Sequence, residues 1–252
     1  MQQCIAVLTR GYSDISMYSK LISRNIAIQK NLSDKTIDIL VFHEGNITKE
    51  HQTYIKNETP YLKLIFINVN NGLAFKSLKT NIEFHPGTSF FKLGYRHMCS
   101  FWFVDFWNFV EDYDRMLRID EDCYIDFNID NVLKNLDTKD FICGKWISDH
   151  DFVTIDLNKT TLQYLGNDTS NVETPAGPYT NVFAVNLNNV RYNQLLRKYI
   201  KIVDDSGNIY RYRWGDLPLW GEAIYYIFGM KSVLIDTNIK YVHESHDMNV
   251  NF

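Results

Sequence analysis

The first 68 residues alternate between short apolar runs and segments with helical spacing, and this alternation restricts the fold more than any other feature of the chain. Apolar runs at 4–8, 37–42 and 62–68 have the length and composition of buried strands. The segments between them, 15–28 and 49–55, carry apolar residues at helical intervals. This order of strands and helices predicts a parallel sheet with helices on its faces.

Later segments continue the pattern. We predict further elements at 93–110 (an aromatic-rich helix), 115–119 (strand), 131–136 (helix), 141–147 (strand), 152–157 (strand), 182–187 (strand) and 219–230 (helix). No internal repeat, low-complexity linker or charge run marks a boundary within the 252 residues. We therefore predict one α/β domain over residues 1–252, with a central mixed, mostly parallel sheet flanked by helices.

Three consecutive acids follow the predicted strand 115–119. In a sheet of this type, ligands bind at the carboxyl ends of the strands, so Asp120, Glu121 and Asp122 are expected at that edge. Carboxylates this close repel one another unless a positive charge shares their site. A divalent metal carrying a nucleotide diphosphate would supply that charge. The alternative is an acidic turn on a solvated surface, because short Asp-x-Asp patterns are common.

Composition excludes several classes of protein. The net charge of −4 gives no field that would attract nucleic acid or an anionic membrane surface. No segment approaches the roughly 20 apolar residues of a membrane span. Four cysteines without C-x-x-C spacing argue against a zinc ribbon or a disulfide scaffold. We therefore expect no nucleic-acid partner and no membrane span.

The chain carries four distinctive blocks, YRHMC at 95–99, RIDE at 118–121, RWGDLP at 213–218 and YVH at 241–243. Together they resemble glycosyltransferase family 15, the fungal α-1,2-mannosyltransferases. Residues 95–99 (YRHMC) are similar to the family's Tyr-Arg-x-Met-Cys block, and 118–121 (RIDE) to its Arg-Val-Glu-Pro strand. Residues 213–218 (RWGDLP) are similar to its Arg-Trp-Gly-Asp-x-Pro block, and 241–243 (YVH) to its late strand ending in His. The resemblance implies a GT-A-like, Rossmann-type fold and metal-dependent transfer of a hexose from a nucleotide diphosphate sugar.

The resemblance also implies a metal site. Asp120 takes the place of the family's metal-binding Glu, and the last Asp of Asp-x-Asp, which binds metal in GT-A enzymes generally, corresponds to Asp122. His243 would supply an imidazole, although its position alone would suggest a surface histidine. Two carboxylates and an imidazole suit Mn²⁺ or Mg²⁺. Such an ion would hold the nucleotide beside Asp120 and offset the charge of the departing diphosphate.

The block at 213–218 gives candidates for substrate binding. A Pro in the first turn predicts a helix start, so Asp216 is either an N-cap or a carboxylate that binds or polarises an acceptor hydroxyl. Trp214 is predicted to stack on a sugar face. Glu222 is a further substrate-binding candidate, with a surface charge near the helix N-terminus as the alternative.

Three more residues are candidates for the donor side. Tyr95 and Arg96 could reach the sugar or the diphosphate, because arginine offers a bidentate fork to phosphate. The alternative for Tyr95 is packing beneath the aromatic helix. Arg10, after the first strand, could contact the nucleotide as that loop does in GT-A proteins, or could be an ordinary exposed arginine.

One position departs from the family pattern. Family 15 carries a Ser-Asn-Phe-Glu block whose Glu is the proposed nucleophile of a retaining reaction, and Phe183 stands at that place here. Phenylalanine cannot attack a sugar. Three alternatives follow: Asn181 suffices with a front-face mechanism assisted by the leaving phosphate, another carboxylate such as Glu173 acts instead, or stereochemistry and substrate differ from the family.

We therefore expect a retaining hexosyltransferase with GDP-mannose as the favoured donor, Mn²⁺ (or Mg²⁺) as cofactor, and a glycan or glycoprotein as acceptor. One alternative is a GT-A enzyme that uses a UDP-sugar, and another is a catalytically silent module that binds a nucleotide or sugar. Because the chain shows no signal or anchor, we expect a cytoplasmic protein, or one of the Golgi lumen if a longer precursor exists.

Overall fold

The computed structural model of the protein describes residues 1–75, 81–170 and 173–247. The strands in these ranges are β1 (Gln3–Leu8), β2 (Asp38–His43), β3 (Lys63–Asn68), β4 (Arg115–Ile119), β5 (Cys123–Asp126), β6 (Phe141–Cys143), β7 (Trp146–Ile147), β8 (Gly177–Pro178), β9 (Val182–Asn186), β10 (Val233–Ile235) and β11 (Lys240–His243). The α-helices are α1 (Ser19–Asn31), α2 (Lys49–Glu58), α3 (Leu93–Ser100), α4 (Ile129–Asn135), α5 (Leu157–Leu165), α6 (Leu187–Arg191), α7 (Gln194–Ser206), α8 (Asn208–Arg211), α9 (Asp216–Ala223) and α10 (Glu244–Asp247). None of the helices in this part of the chain has both the length and the apolar character that crossing a bilayer requires.

Seven strands form the central sheet in the order β10-β6-β9-β4-β1-β2-β3. Strands β4, β1, β2 and β3 run parallel to one another, and β10 runs parallel to β6. Strand β9 lies between β4 and β6 and is antiparallel to both. The sheet is therefore mixed and mostly parallel, and the prediction of an α/β fold with such a sheet is confirmed.

Strand β1 lies inside the sheet, which explains why its sequence is a continuous run of apolar residues. Successive side chains of a strand point to opposite faces of the sheet. Ile5 and Val7 enter the apolar cluster on one face, and Cys4 and Ala6 enter the cluster on the other. All four are fully buried, as expected for a strand covered on both faces.

The helix predicted at 93–110 is interrupted. It comprises α3, a π-helical turn at Phe101–Asp105 and a 3-10 turn at Phe106–Phe109. The wider turn accommodates three large consecutive rings, those of Phe101, Trp102 and Phe103, all of which are buried. The aromatic residues are therefore core residues, and the irregular pitch accompanies their packing.

The prediction of a strand at 152–157 is wrong. This segment begins with a 3-10 turn at Asp151–Val153 and ends where α5 starts at Leu157. Asp156 has φ of 57°, which is incompatible with an extended strand. Val153 and Leu157 are nevertheless buried. A short apolar run cannot distinguish a strand from a buried turn and helix start by periodicity alone.

A small antiparallel ribbon joins the middle of the chain to its last described residues. Strand β5 pairs with β11 so that Cys123 lies opposite His243. The backbone N–H of Glu244 donates to the carbonyl oxygen of Asp122 at 3.0 Å and continues this pairing. The ribbon therefore brings the late histidine beside the acidic tripeptide.

Helix α9 approaches β8 so closely that only glycine fits at two positions. A Cβ atom on Gly177 would lie 2.4 Å from the carbonyl oxygen of Leu217, and one on Gly221 would lie 2.8 Å from that of Ala176. Because backbone atoms would have to move in both cases, we expect Gly221→Ala to lower the free energy of unfolding by about 1–3 kcal/mol. Urea denaturation measures this change.

Gly94→Ala in α3 is the matched control, because a Cβ atom there would meet nothing within 4 Å. We expect this variant to be as stable as the parent or more stable by up to about 1 kcal/mol, since alanine favours helix. Equal stabilities of the two variants would contradict the close approach of α9 and β8.

Candidate active site

A cleft of about 970 Å³ opens at the carboxyl ends of β1 and β4. Its walls come from the loop after β1, the acidic tripeptide after β4, the end of β11, and the amino-terminal parts of α3 and α9. This is the edge of the sheet at which the sequence predicted ligand binding. Seven of the ten predicted site residues line it: Arg10, Tyr95, Asp120, Asp122, Asn181, Asp216 and His243.

The three acids of the tripeptide point to three different partners. Asp120 is paired with Arg118, and Asp122 lies beside His243. Glu121 turns toward the loop after β1, where it accepts hydrogen bonds from the hydroxyls of Thr9 and Tyr12. The repulsion expected among adjacent carboxylates is therefore relieved by separating them in space as well as by pairing them.

Arg118 connects two of the cleft's carboxylates. Its Nε and Nη2 donate to the two oxygens of Asp120 at 2.7 and 2.9 Å, and its Nη1 donates to Asp216. The guanidinium carbon lies 4.4 Å from the ring centroid of Trp102. Burial lowers the pKa of Arg118, but the two carboxylates outweigh this effect and hold it above its usual value. Arg118 is therefore a permanent buried cation.

Asp122 and His243 bring two distant parts of the chain together in the site. Nε2 of His243 lies 3.1 Å from Oδ1 of Asp122, and Nδ1 lies 3.1 Å from the hydroxyl of Tyr179. Burial raises the pKa of Asp122, but hydrogen bonding and charge from His243 and a hydrogen bond from Ser245 lower it to about 2. The carboxylate is thus ionised at neutral pH.

Asn181 lies between the candidate metal ligands. Its Nδ2 is 3.2 Å from Oδ2 of Asp120 and 3.3 Å from Nε2 of His243. Its carbonyl oxygen accepts from the backbone N–H of Asp120 at 2.9 Å. Asn181 therefore fixes the position of the tripeptide relative to β11.

Cys123 is close to this group but differs in chemistry. One possible ligand atom from each of Asp122, Cys123 and His243 lies within 4.8 Å of the others. Burial raises the pKa of the Cys123 thiol, so the group is neutral at physiological pH. Its sulfur lies 3.8 Å from the carbonyl oxygen of Asn181. A neutral thiol is a poor ligand for Mn²⁺ or Mg²⁺, so we leave Cys123 out of the ligand set.

Asp216 is the first residue of α9, and Gly215 occupies the cap position. The prediction that Asp216 could simply be the N-cap is therefore wrong. Its buried carboxylate accepts from Arg118 at the positive end of the helix dipole. A carboxylate in this position can also accept a hydrogen bond from a hydroxyl.

Arg213 is a cleft residue that the sequence prediction missed. Its Nη1 donates to Oδ2 of Asp149 at 2.6 Å, and its Nη2 donates to the hydroxyl of Tyr95 at 2.6 Å. The guanidinium carbon also lies 4.5 Å from the ring centroid of Phe91. Arg213 has φ of 65°, an uncommon value for a residue with a side chain. Its place in the 213–218 block was the available signal, but only the Trp and Asp of that block were assigned roles.

Tyr95 and Arg10 both line the cleft. Tyr95 is exposed in the cleft, with its hydroxyl held by Arg213. Arg10 is exposed at the cleft margin, with its guanidinium carbon 5.2 Å from the ring centroid of Tyr12. Their proposed contacts with sugar and nucleotide stay predictions.

Arg96 does not reach the cleft. It is fully buried and donates to the carbonyl oxygens of Thr88 and Tyr210, each at 2.6 Å, and of Phe91 at 3.2 Å. The expectation that it binds a diphosphate is corrected, because its donors hold backbone segments together.

Trp214 and Glu222 also lie away from the cleft. Trp214 is fully buried and donates from Nε1 to the carbonyl oxygen of Ile155 at 2.8 Å, so its faces cannot stack on a sugar. Glu222 is fully buried and accepts from Nδ2 of Asn158 at 3.0 and 3.2 Å. Both predictions of substrate contact are corrected, since these side chains anchor the ends of α9 to the core.

Phe183, which stands at the family's Glu position, points into the core. It is buried and stacks on Phe141 with ring centroids 6.0 Å apart. Glu173, the suggested substitute, is exposed and does not line the cleft. The carboxylates that do line it, among the described residues, are Glu44, Asp120, Glu121, Asp122, Asp149 and Asp216.

Comparison with known proteins found one relative by sequence and several by fold. No family model matches the chain. An alignment over 151 positions, which covers 51% of this chain, shows 29% identity to the glycolipid 2-alpha-mannosyltransferase 2 of Candida albicans. That alignment covers 32% of the relative, so the match spans less than half of the curated protein's length.

Solved structures match over nearly the whole chain. The mannosyltransferase Ktr4p from S. cerevisiae superposes with a TM-score of 0.77 at 15% identity, covering 96% of this chain and 70% of that one. Core-mannan synthase A from Aspergillus fumigatus, in a Mn/GDP form, superposes with a TM-score of 0.76 at 14% identity, covering 96% and 74%.

The fold is therefore that of the GT-A glycosyltransferases, as predicted. Within this class, the chain is similar in sequence and in fold to mannosyltransferases of family 15, which confirms the resemblance carried by its sequence blocks.

The buried Glu222 should give the protein a measurable pH dependence. Burial raises its pKa from 4.5 to about 7, against the opposing effect of hydrogen bonds from Asn158 and Thr161. The neutral acid is favoured in the folded state, so its stabilising effect is present below about pH 4.5 and is lost as pH rises through 7. We expect Glu222→Gln to remove up to about 3 kcal/mol of this loss.

The measurement is the free energy of unfolding in urea at pH 5 and pH 8. The free energy of unfolding of Glu222→Gln, measured relative to that of the parent, should be higher at pH 8 than at pH 5. Glu58→Gln changes an exposed acid at the end of α2 and should show no such gain. An identical difference between Glu222→Gln and the parent at both pH values would contradict the raised pKa.

Proposed function

We propose that this protein is a metal-dependent glycosyltransferase that moves a hexose, mannose from GDP-mannose, onto a glycan or a glycosylated protein. The observation that carries the proposal is the meeting of Asp122 and His243, with Asp120 and Asn181 beside them, at the nucleotide-binding edge of a GT-A sheet. The similarity to a 2-alpha-mannosyltransferase and to mannosyltransferase structures supports mannose as the sugar.

The ligand set fits Mn²⁺ or Mg²⁺. Asp122 is ionised, and His243 presents Nε2 toward it while Nδ1 lies against the hydroxyl of Tyr179. Asp120 is held by Arg118, but a carboxylate has about four lone-pair sites and can serve a cation as well. An ion held by Asp120, Asp122 and His243 would offset the charge that develops on the departing nucleotide diphosphate.

The residues around the ligand set would position the two substrates. Arg10 lies at the end of β1, where a diphosphate would approach, and its guanidinium can donate two hydrogen bonds to phosphate. Asp216 lies on the opposite side of Arg118 from Asp120, where its carboxylate can accept a hydrogen bond from an acceptor hydroxyl.

We propose a retaining, front-face reaction, because Phe183 lies in the core and supplies no nucleophile. The acceptor oxygen forms a bond to the anomeric carbon as the bond from that carbon to the diphosphate oxygen breaks. The hydroxyl proton passes to the departing phosphate oxygen. Asp216 orients the hydroxyl, and Asn181 holds Asp120 and the tripeptide in place.

The metal assignment predicts that Asp122→Ala combined with His243→Ala abolishes manganese-dependent nucleotide binding. Losing one ionised carboxylate and one imidazole should weaken GDP binding in the presence of Mn²⁺ by at least about 100-fold, or roughly 2.7 kcal/mol. Calorimetric titration with and without Mn²⁺ measures the change, with circular dichroism as the test of folding.

Asp126→Ala is the matched control. Asp126 is an exposed carboxylate at the far end of β5, the strand that directly follows Asp122. It should bind GDP and Mn²⁺ like the parent. If the double variant also binds GDP with unchanged affinity, the ligand assignment is wrong.

The donor assignment predicts that GDP-mannose is hydrolysed or transferred faster than UDP-glucose and UDP-galactose. Release of free nucleotide, followed with Mn²⁺ and a panel of mannose oligosaccharides, compares the donors directly. If only UDP-sugars are turned over, the assignment of mannose is wrong and the transferred sugar is another hexose. Nucleotide binding without turnover of any donor would favour a silent binding module.

A further inference from the structure

A continuous row of aromatic side chains borders the cleft beyond Arg213. This aromatic shelf consists of Phe90, Phe91, Tyr95, His150 and Phe152. The rings of Phe90 and Phe91 lie 4.3 Å apart between centroids, and Phe91 lies 5.3 Å from Tyr95. Phe152 lies 6.2 Å from Phe90 and is stacked on His150 at 5.4 Å.

The shelf is exposed although it is made of large apolar groups. Phe90 is 61% exposed and Phe152 is 43% exposed. Burying a phenylalanine side chain contributes about 1.5–3 kcal/mol, so covering two adjacent exposed phenylalanines would be favourable. Phe91, Tyr95, His150 and Phe152 line the cleft, and Phe90 extends the same surface outward.

The shelf is held in place from below. Arg213 lies against the rings of Phe91 and Tyr95, with its guanidinium carbon 4.5 and 4.8 Å from their centroids. The same guanidinium is paired with Asp149, the neighbour of His150. The two segments that form the shelf, one leading into α3 and one following β7, are therefore joined by a single arginine before any ligand arrives.

The shelf lies on the side of the cleft opposite the proposed nucleotide site. Strands β1, β2 and β3 lie on one side of β4, and Arg10 projects from the β1 end. The His150–Phe152 segment follows β6 and β7, and β6 lies on the other side of β4. A nucleotide bound at the β1 edge would leave the shelf free for the second substrate.

We propose that the aromatic shelf is the acceptor subsite, where a pyranose ring of the acceptor glycan stacks by its apolar C–H face. This inference rests on the proposed function and names the substrate that the same cleft takes. Aromatic faces carry negative partial charge and attract the C–H groups of a sugar, while Asp149 and Arg213 at the shelf's edge offer an acceptor and donors for its hydroxyls. The mixture of exposed rings and paired polar groups suits a carbohydrate.

The test uses the double variant Phe90→Ala with Phe152→Ala. The probes are methyl α-D-mannopyranoside and α-1,2-linked mannotriose, and each variant is measured by two readouts. In transfer assays from GDP-mannose, the KM for mannotriose should rise by about tenfold or more while kcat and the affinity for GDP with Mn²⁺ stay unchanged. In saturation-transfer NMR without donor, the mannotriose signal of the parent should disappear in the variant.

Two controls accompany the variant. Phe152→Tyr keeps an aromatic face and should bind mannotriose like the parent. Tyr192→Ala removes a ring that is 67% exposed but lies outside the cleft, and it should change neither readout.

Several results would overturn the acceptor subsite. One is unchanged mannotriose binding in the double variant, and another is a parent protein that binds neither probe. If the double variant loses affinity for GDP, the occupant of the shelf is a nucleobase. If only the oligomeric state of the double variant changes, the occupant is a second copy of the chain. If no donor is turned over but the NMR signal is lost in the double variant, the shelf binds sugar and the proposed transfer fails. If GDP-mannose is turned over but both readouts are unchanged, the transfer stands and the subsite is wrong.

Discussion

The buried ion pairs of Arg118 are the interaction on which the rest of the site depends. One guanidinium, covered by Trp102, binds both oxygens of Asp120 and one oxygen of Asp216. Without it, two carboxylates would share a confined cleft with a third, Asp122, and no buried cation would offset their mutual repulsion. Removing one partner from a buried charge cluster commonly costs about 3–5 kcal/mol, because the remaining charge stays unpaired. Arg118 thus holds the carboxylates of Asp120 and Asp216 together in one cleft.

Three long-range connections assemble the cleft from segments far apart in the chain. The ribbon of β5 and β11 places His243 beside Asp122, and the antiparallel strand β9 places Asn181 beside Asp120. Arg118 then links the end of β4 to the start of α9. Each connection is made by backbone pairing or a buried side chain, so the geometry is fixed before a substrate binds. Such preorganisation is what electrostatic stabilisation of a leaving group requires.

In the proposed reaction, this arrangement divides the cleft between two substrates. The β1 side carries Arg10 and the candidate metal ligands, while Arg213 and the aromatic shelf lie toward the segment that follows β7. Asp216, held by Arg118, lies where these two halves meet. A donor and an acceptor can therefore approach the same carboxylate from different sides.

Local sequence pattern was sufficient for the parallel part of the sheet and the helices that connect its first strands. The apolar runs of β1, β2 and β3 and the spacing of α1 and α2 predicted a parallel sheet with helices on its faces, because strand and helix periodicity are encoded over a few residues. The acidic tripeptide was placed at the ligand-binding edge for the same reason, since it directly follows β4. The resemblance to family 15 added His243, which periodicity alone would have left as a surface residue.

Burial and side-chain direction were decided only by the tertiary structure. Arg96 and Trp214 belong to recognisable sequence blocks, yet both are fully buried and hydrogen-bonded to backbone carbonyls. Arg213, from the same block as Trp214, faces the cleft instead. The sequence by itself determined the parallel strands β1 to β4, the helices α1 and α2 and the acidic edge, because these depend on neighbours along the chain. The pairing of His243 with Asp122 and the choice of which arginine faces a ligand depended on contacts between residues more than 60 positions apart, which no local pattern specifies.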